Sequence, residues 1–354
     1  MKILYFTKYT NLGASSRLRS FQFFPLLEAS GFRVEVSPLF NDNYLKALYN
    51  KKKIKNLIII FCYIRRFFHL LKVKNYDLIV IEKELFPYFP AFVEIIFNRL
   101  NIKYLVDYDD AIFHKYDLST NPYLKILSDK IDKVMANSRY VFAGNSYLAE
   151  RAKKAGSKNI AILPTVININ KYKIIDNKDK SKFILGWIGS PSTYIYIKEL
   201  FPVFYELKKK YSHFYVNIIG AKQEPLKKDE FINFIPWSEN EEVLEINKFD
   251  IGIMPLHNTP WELGKCSYKL IQYMGCYKPI IGSSVGMNKE VIKNDFNGFL
   301  VGENDWFSQI EFCINNQDNI EKMGINGRHL IENKYNVNVN VNEIIKIFNK
   351  ITNR

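Results

Sequence analysis

Gly264-Lys265-Cys266-Ser267-Tyr268-Lys269-Leu270-Ile271-Gln272-Tyr273-Met274-Gly275 is the stretch from which the rest of this sequence is read. Upstream of it, Ile251-Gly252-Ile253-Met254-Pro255-Leu256 is a short apolar run that reads as a buried strand, and residues 265–274 then switch to helical spacing. On that predicted helix Lys265, Lys269 and Gln272 stand at i, i+4 and i+7 and share one face, while Leu270, Ile271 and Met274 take the other. Like charges at that spacing cost a helix roughly 0.2–0.5 kcal/mol, and cations at its positive end cost about 0.3–1 kcal/mol more. The pair makes sense if an anion sits there. First-turn N–H groups, the helix dipole and two ammonium groups would then converge on one phosphate-sized charge, with a diphosphate the natural candidate. The plainer alternative is a pair of solvated lysines on flexible stems.

Working downstream, Pro279-Ile280-Ile281-Gly282 reads as a second short strand and Ser283-Ser284-Val285-Gly286 as a turn. Glu290-Val291-Ile292 starts a helix, and Asn297-Gly298-Phe299-Leu300-Val301 follows. This order resembles the donor-nucleotide half of the GT-B glycosyltransferases, in particular the large group around family 4. The resemblance implies an α/β fold of two doubly wound, Rossmann-like domains facing across a cleft, with a C-terminal helix that crosses back to the first. It divides the chain into an acceptor domain over 1–168, a donor domain over 169–336 and a returning helix over 337–354.

At 354 residues, 47% of them hydrophobic, the chain is long enough for two ordinary domains with a core each. A net charge of +14 calls for an anionic partner: nucleic acid, a membrane surface or phosphorylated small molecules. Zinc-finger spacing, a basic zipper and an RNP-like aromatic strand are all lacking, so nucleic acid is not expected as a partner. Cys62, Cys266, Cys276 and Cys313 form no C-x-x-C pair and no ligand spacing with histidine, and read as free thiols of a reducing cytosol. Met1-Lys2-Ile3-Leu4-Tyr5-Phe6 enters a strand at once, without the apolar segment of a secretion signal. A cytoplasmic protein, with the inner membrane face as a possible station, is the expectation.

The first half opens with a strand over 2–6, a small-residue loop Thr10-Asn11-Leu12-Gly13-Ala14-Ser15-Ser16-Arg17, and a helix with Leu18, Phe21, Phe24 and Leu27 on its apolar face. Gly13, Arg17 and Arg19 read either as an acceptor-facing loop or as a tight turn with surface arginines. A strand over 34–39 precedes a basic, aromatic-rich stretch, 44–74, holding Lys51-Lys52-Lys53, Lys55 and Arg65-Arg66 around Leu57-Ile58-Ile59-Ile60-Phe61. It is too short and too charged at its flanks to span a bilayer. It reads as a helix on an anionic leaflet or as a core helix with a solvated basic face. Strands over 77–82, 103–106, 133–136, 140–143 and 160–163 follow, with helices over 85–100 and from 145 to 156.

The strand over 103–106 ends in Asp107-Tyr108-Asp109-Asp110-Ala111-Ile112-Phe113-His114, carboxylates where open α/β sheets bind ligands. Asp109 or Asp110, with His114 as a substitute, is the candidate to orient an acceptor hydroxyl or take its proton; a structural cap is the alternative. Asp107-Tyr108-Asp109 spells D-x-D, but the resemblance is to a fold that typically needs no metal, so neither metal nor resident cofactor is expected. The sugar donor serves as co-substrate.

After a hinge at 164–168 and a polar linker at 176–182, the second domain begins with a strand over 183–188, the loop Gly189-Ser190-Pro191-Ser192-Thr193 and a helix over 194–211. Gly189 and the hydroxyls of Ser192 and Thr193 suit phosphate oxygens, or else an empty N-cap. Strands over 215–219 and 232–235 lead to Trp237, which the resemblance sets beside the nucleobase. Helices over 305–315, 320–333 and 339–351 complete the chain.

The resemblance thus implies a donor site of Gly189, Ser190, Ser192, Thr193, Trp237, Lys265, Ser267, Lys269, Leu270 and Gln272. Lys265 and Lys269 would neutralise the departing diphosphate. The sequence departs from the family in its E-x7-E pattern, whose two acids fall here on Gly264 and Gln272, and Glu262 is the candidate replacement for the first. The implied activity is transfer of a sugar from a nucleotide-diphosphate donor to a saccharide or lipid-linked acceptor, retaining and in cell-surface polysaccharide synthesis. A nucleotide-sugar epimerase of the same fold and a non-catalytic subunit of a polysaccharide-assembly complex are the alternatives.

Overall fold

The computed structural model describes residues 1–49, 52, 54–175, 177–221 and 229–352. Lys51 and Lys53 of the basic run, and Asp176 at the start of the expected linker, lie outside them. The chain divides into two compact units. The first comprises Met1–Thr165, the short segment Gly264–Cys266 and the C-terminal helix Val337–Thr352; the second comprises Val166–Leu263 and Ser267–Asn336.

The first unit is built on β1 (Lys2–Phe6), β2 (Arg33–Val36), β3 (Leu78–Glu82), β4 (Tyr104–Tyr108), β5 (Tyr140–Ala143) and β6 (Ile160–Ile162). They pair in the order β2-β1-β3-β4-β5-β6, and every pairing is parallel. β3 and β4 are buried along their whole length, as apolar strands covered on both faces must be. The C-terminal helix packs on this unit, its Phe348 ring 6.0 Å from Phe32 and 6.4 Å from Phe142.

The second unit carries β7 (Phe183–Ile188), β8 (Phe214–Ile219), β9 (Ile232–Ile235), β10 (Ile251–Met254), β11 (Ile280–Ser283) and β12 (Gly298–Val301). Their order is β12-β11-β10-β7-β8-β9, again all parallel. The order of connection reverses between β7 and β10, so the crevice beyond the carboxyl ends of these two strands is where such a sheet binds its ligand. One core cluster runs from Phe183, Leu185 and Trp187 through Phe204 and Val216 to Ile310 and Cys313.

Several boundaries differ from the sequence reading. Residues 133–136 are not a strand but the middle of the helix Lys130–Asn137. Ile131, Val134 and Met135 supply its buried i, i+3, i+4 face, and the buried Lys130 ammonium donates to the Phe86 carbonyl at 2.7 Å and to Glu84. The helix expected over 85–100 is confined to Phe92–Arg99, because Pro87 and Pro90 keep the preceding residues out of it. The helix expected over 194–211 is two, Tyr194–Lys198 and Phe201–Lys210, with Pro202 seated in the first turn of the second. The four cysteines are buried and unpaired. Among the described residues no helix is long and apolar enough to cross a membrane.

Candidate functional site

The decisive helix starts later than its sequence suggests. It spans Tyr268–Gly275, with Ser267 in a left-handed conformation (φ 48°) just before it and the Ser267 hydroxyl donating to Asn288 Oδ1 at 2.7 Å. Lys265 therefore precedes the helix, and the face it was expected to share with Lys269 and Gln272 does not form. Gln272 is buried and donates to the Tyr172 hydroxyl at 3.2 Å, and Leu270 is wholly buried. Of the residues expected on the polar face, Lys269 is the one that the helix carries half-exposed.

In the second unit Lys269 meets the end of β7. Its ammonium stands 4.4 Å from the centroid of the Trp187 indole, a cation–π contact. Against the same ring lies Gly189, where a Cβ would fall 2.4 Å from Trp187 Cη2 and 2.8 Å from Thr193 Oγ1. Only a glycine lets the backbone pass so close. Trp187 is thus the floor on which the β7 turn and Lys269 are both set. The turn is stitched to β8 by the Gly189 N–H donating to the Ile219 carbonyl at 3.0 Å. Next to it Gly220 has φ +86° and no room for a side chain, since a Cβ there would lie 2.3 Å from the Gly189 carbonyl oxygen and 3.3 Å from Trp237 Cβ. Gly189, Gly220 and Trp237 therefore form one rim at the carboxyl ends of β7, β8 and β9, and the half-exposed Trp237 indole donates to Glu242 at 2.8 Å.

Along the β7 turn, Ser190 and Ser192 are exposed and share a hydrogen bond of 2.8 Å, while Thr193 donates back to the Ser190 carbonyl at 3.0 Å. Glu262 is buried: one of its carboxylate oxygens accepts from the Tyr196 hydroxyl and the other from the Thr259 hydroxyl. Its environment is a closed network and not the open sugar contact expected of it.

In the first unit, the acids after β4 enter a dense ionic network. Asp107 makes a two-pronged pair with Arg19, whose Nε donates to Oδ2 at 2.9 Å and whose Nη2 donates to Oδ1 at 2.5 Å. Arg19 also donates to the Leu163 carbonyl at 2.8 Å and is buried. The reading of Arg19 as a surface arginine is corrected: it is buried and ties the end of β4 to the Leu163 carbonyl just beyond β6. Asp109 pairs with Lys83 at 2.8 Å and accepts from the Ser15 hydroxyl at 2.7 Å. Burial works against its charge, but Lys83 and Arg19 outweigh it and hold the carboxyl well below the usual range. So tightly held an anion is a poor proton acceptor, which weighs against Asp109 as the group that takes a proton.

The D-x-D carboxylates are thus each engaged by a buried cation. Asp110 is part-exposed and stands 3.2 Å from Lys265, whose carbonyl accepts from Asn145 at 3.0 Å. The Cys266 thiol donates to the Asp109 carbonyl at 3.0 Å. His114 has both ring nitrogens occupied, one 2.9 Å from Asp117 and the other 2.8 Å from the Tyr147 hydroxyl.

Glu82 and Lys83 were missed by sequence reasoning. Glu82 is buried at the end of β3 and accepts from the Ser16 hydroxyl at 2.6 Å, the Ser15 hydroxyl at 3.2 Å and the Lys8 N–H at 3.0 Å. It fixes the loop after β1 that holds Gly13 and Arg17. Gly13 itself is required because a Cβ would lie 2.4 Å from that of Tyr9. Arg17 donates to the Asn11 carbonyl at 3.3 Å. The available signal was Glu82-Lys83-Glu84, three charges in a row that begin on the last residue of an otherwise apolar strand. Among the described residues, no cluster of His, Cys, Asp and Glu is arranged to hold a metal ion.

Residues 168–330 match the model of a family described as glycosyl transferases group 1. No curated relative matches the sequence. Among solved structures, the chain is similar to sucrose-phosphate synthase from Thermosynechococcus elongatus, with a TM-score of 0.73 at 14% identity over 99% of both chains. It is similar also to HepE from Anabaena, solved with UDP-glucose, with a TM-score of 0.70 at 13% identity over 99% of this chain and 100% of that one. A glycosyltransferase from Rickettsia africae aligns with a TM-score of 0.69 at 15% identity over 99% and 98%. At such identities the likeness establishes the fold, which is GT-B, with two six-stranded parallel Rossmann-like sheets.

Proposed function

We propose that this chain, whose residues 168–330 match the model of the glycosyl transferases group 1 family and whose fold is GT-B, is a glycosyltransferase that moves a sugar from a nucleotide-diphosphate donor to a saccharide or lipid-linked acceptor. The observation that carries this reading is the pairing of Lys269 with the Gly189 turn on the Trp187 ring, at the point where the strand order reverses. There a half-exposed ammonium and a turn that opens on a glycine suit one diphosphate. As the bond to the sugar breaks, charge grows on the departing phosphate, and a fixed ammonium stabilises that charge more than it stabilises the bound donor. Trp237 at the rim supplies an aromatic edge for the nucleobase. That HepE was solved with UDP-glucose supports a nucleotide sugar as the donor class.

On the acceptor side, the reading assigns Asp110 to orient the incoming hydroxyl, with Asp109, held as an anion by Lys83, supporting the strand end. Retention of configuration and a place in cell-surface polysaccharide synthesis are the expectations carried from the family-4 resemblance. The donor is the co-substrate, and the reading calls for neither a resident cofactor nor a metal.

A thermal-shift panel of UDP, GDP, ADP and CMP tests the donor site. A specific ligand at 100 times its dissociation constant adds about 2.7 kcal/mol of stability. One nucleoside diphosphate is expected to raise the melting temperature clearly above the others; a flat panel refutes the donor site.

A further inference from the structure

We propose that the outward face of the helix Asn56–Leu70 seats this protein on an anionic lipid membrane. The proposal concerns the first unit and stands apart from the donor reading.

The helix has an unusual division of labour. Its inner face is Ile59, Cys62, Tyr63 and Arg66, packed with Leu39, Phe40, Tyr9 and Tyr44. Arg66 is the anchor: the guanidinium is buried, donates to the carbonyls of Thr7 at 2.6 Å and Ser37 at 2.8 Å, and lies over the Phe6 ring at 4.9 Å. With the helix pinned in that rotation, Leu57, Phe61, Ile64, Phe68 and Leu71, spaced by four, three, four and three residues, fall on the opposite side. They are 75, 64, 48, 59 and 71% exposed. A polar outer face is what water requires of a surface helix, and a contiguous apolar one marks an interaction site.

The surrounding charge selects the occupant. Residues 43–76 contain nine lysines and arginines and no aspartate or glutamate. Lys52 and Lys55 before the helix and Lys72 and Lys74 after it are exposed, so the apolar ridge has cations at both ends. A second copy of this chain would set the same cations against each other. An anionic leaflet satisfies both features at once, with acyl chains for the ridge and phosphate headgroups for the lysines. The helix is 15 residues long, about 22 Å at 1.5 Å per residue, which suits lying in the interface and is too short for crossing it.

Flotation with vesicles of phosphatidylethanolamine and phosphatidylglycerol, beside vesicles of phosphatidylcholine alone, tests this on the full chain. Binding is expected to the anionic vesicles, to weaken with added salt, and to be slight on phosphatidylcholine. Phe61→Ser with Phe68→Ser, both at exposed positions, is expected to lower partitioning at least about tenfold with an unchanged melting temperature. Failure of the wild type to float overturns the proposal, as does flotation of the double variant like the wild type. A dimer that the double variant dissolves, in a protein that ignores vesicles, overturns it in favour of self-association.

Discussion

Replacing Gly189 by alanine puts the donor-site geometry to a direct test. The added Cβ would lie 2.4 and 2.5 Å from Trp187 Cη2 and Cζ2, and 2.8 Å from Thr193 Oγ1. Carbon atoms pack at about 3.5 Å, so roughly 1 Å of movement is needed. Trp187 is fully buried in the core of its unit and has nowhere to go. The turn must give instead, although its N–H is bonded to Ile219 and its carbonyl is wedged against Gly220. Overpacking of this kind costs about 1–3 kcal/mol. At about 2–4 °C per kcal/mol for a domain of this size, the melting temperature is expected to fall by roughly 4–8 °C at mid-range. The same displacement moves the backbone that faces the diphosphate, and affinity for the nucleotide found in the thermal-shift panel is expected to drop at least about tenfold, or 1.4 kcal/mol. Gly302→Ala is the control. Its Cβ would meet only the movable carboxylate of Asp305, at 2.9 Å, and its effect is expected to stay within about 0.5 kcal/mol. Calorimetry with nucleotide titration reads both quantities. Wild-type melting and wild-type affinity in Gly189→Ala would refute the argument that this turn is held against Trp187 to receive a ligand.

Lys269→Ala is expected to reduce turnover on the order of 10²–10³-fold, as the loss of a group that stabilises transition-state charge does. It should cost no more than about 1 kcal/mol of stability, the worth of its cation–π contact, so a steady-state assay beside a melting curve separates the two roles. Asp109 predicts the response to acid. Its folded pKa is depressed by Lys83 and Arg19 against the opposing effect of burial, so the stability it contributes is complete above its unfolded value of about 3.9 and is lost as pH falls below that value. Asp109→Asn is expected to cost about 3 kcal/mol at neutral pH, because it removes the direct ion-pair partner of the buried Lys83, and to flatten the acid limb of the stability curve. A variant whose acid limb matches the wild type would exclude Asp109 as its source.

The fold was legible because its signals are short-range. Apolar runs such as Ile251-Gly252-Ile253-Met254 and Phe183-Ile184-Leu185 are buried strands in the structure, and Gly189 marks the turn after the second. What misled was also local. Lys133-Val134-Met135-Ala136 has strand-like composition, yet Ile131 and the buried Lys130 complete a helical face that a four-residue window cannot display. Pro202 divides what looked like one helix after Gly189, and Pro87 and Pro90 delay another, effects of a missing N–H that periodicity does not record.

The site was legible in one part and not in another, and the difference lies in what makes each residue matter. Lys269 and Gly189 follow from position, since a cation in a first helical turn and a glycine after a strand are visible in a sequence. Lys265 was drawn into the helix by the same periodicity, and only the left-handed Ser267 ends that extension, a backbone state that serine does not announce. Arg19, Glu82 and Lys83 belong to pairs separated by many residues: Arg19 meets Asp107, and Lys83 meets Asp109. Such partners are brought together by the sheet order, because β1, β3 and β4 are neighbours and end side by side. Burial then decides the chemistry. The carboxylates that look like free bases in a D-x-D string are each paired with a buried cation, Asp107 with Arg19 and Asp109 with Lys83, and a linear string shows neither partner.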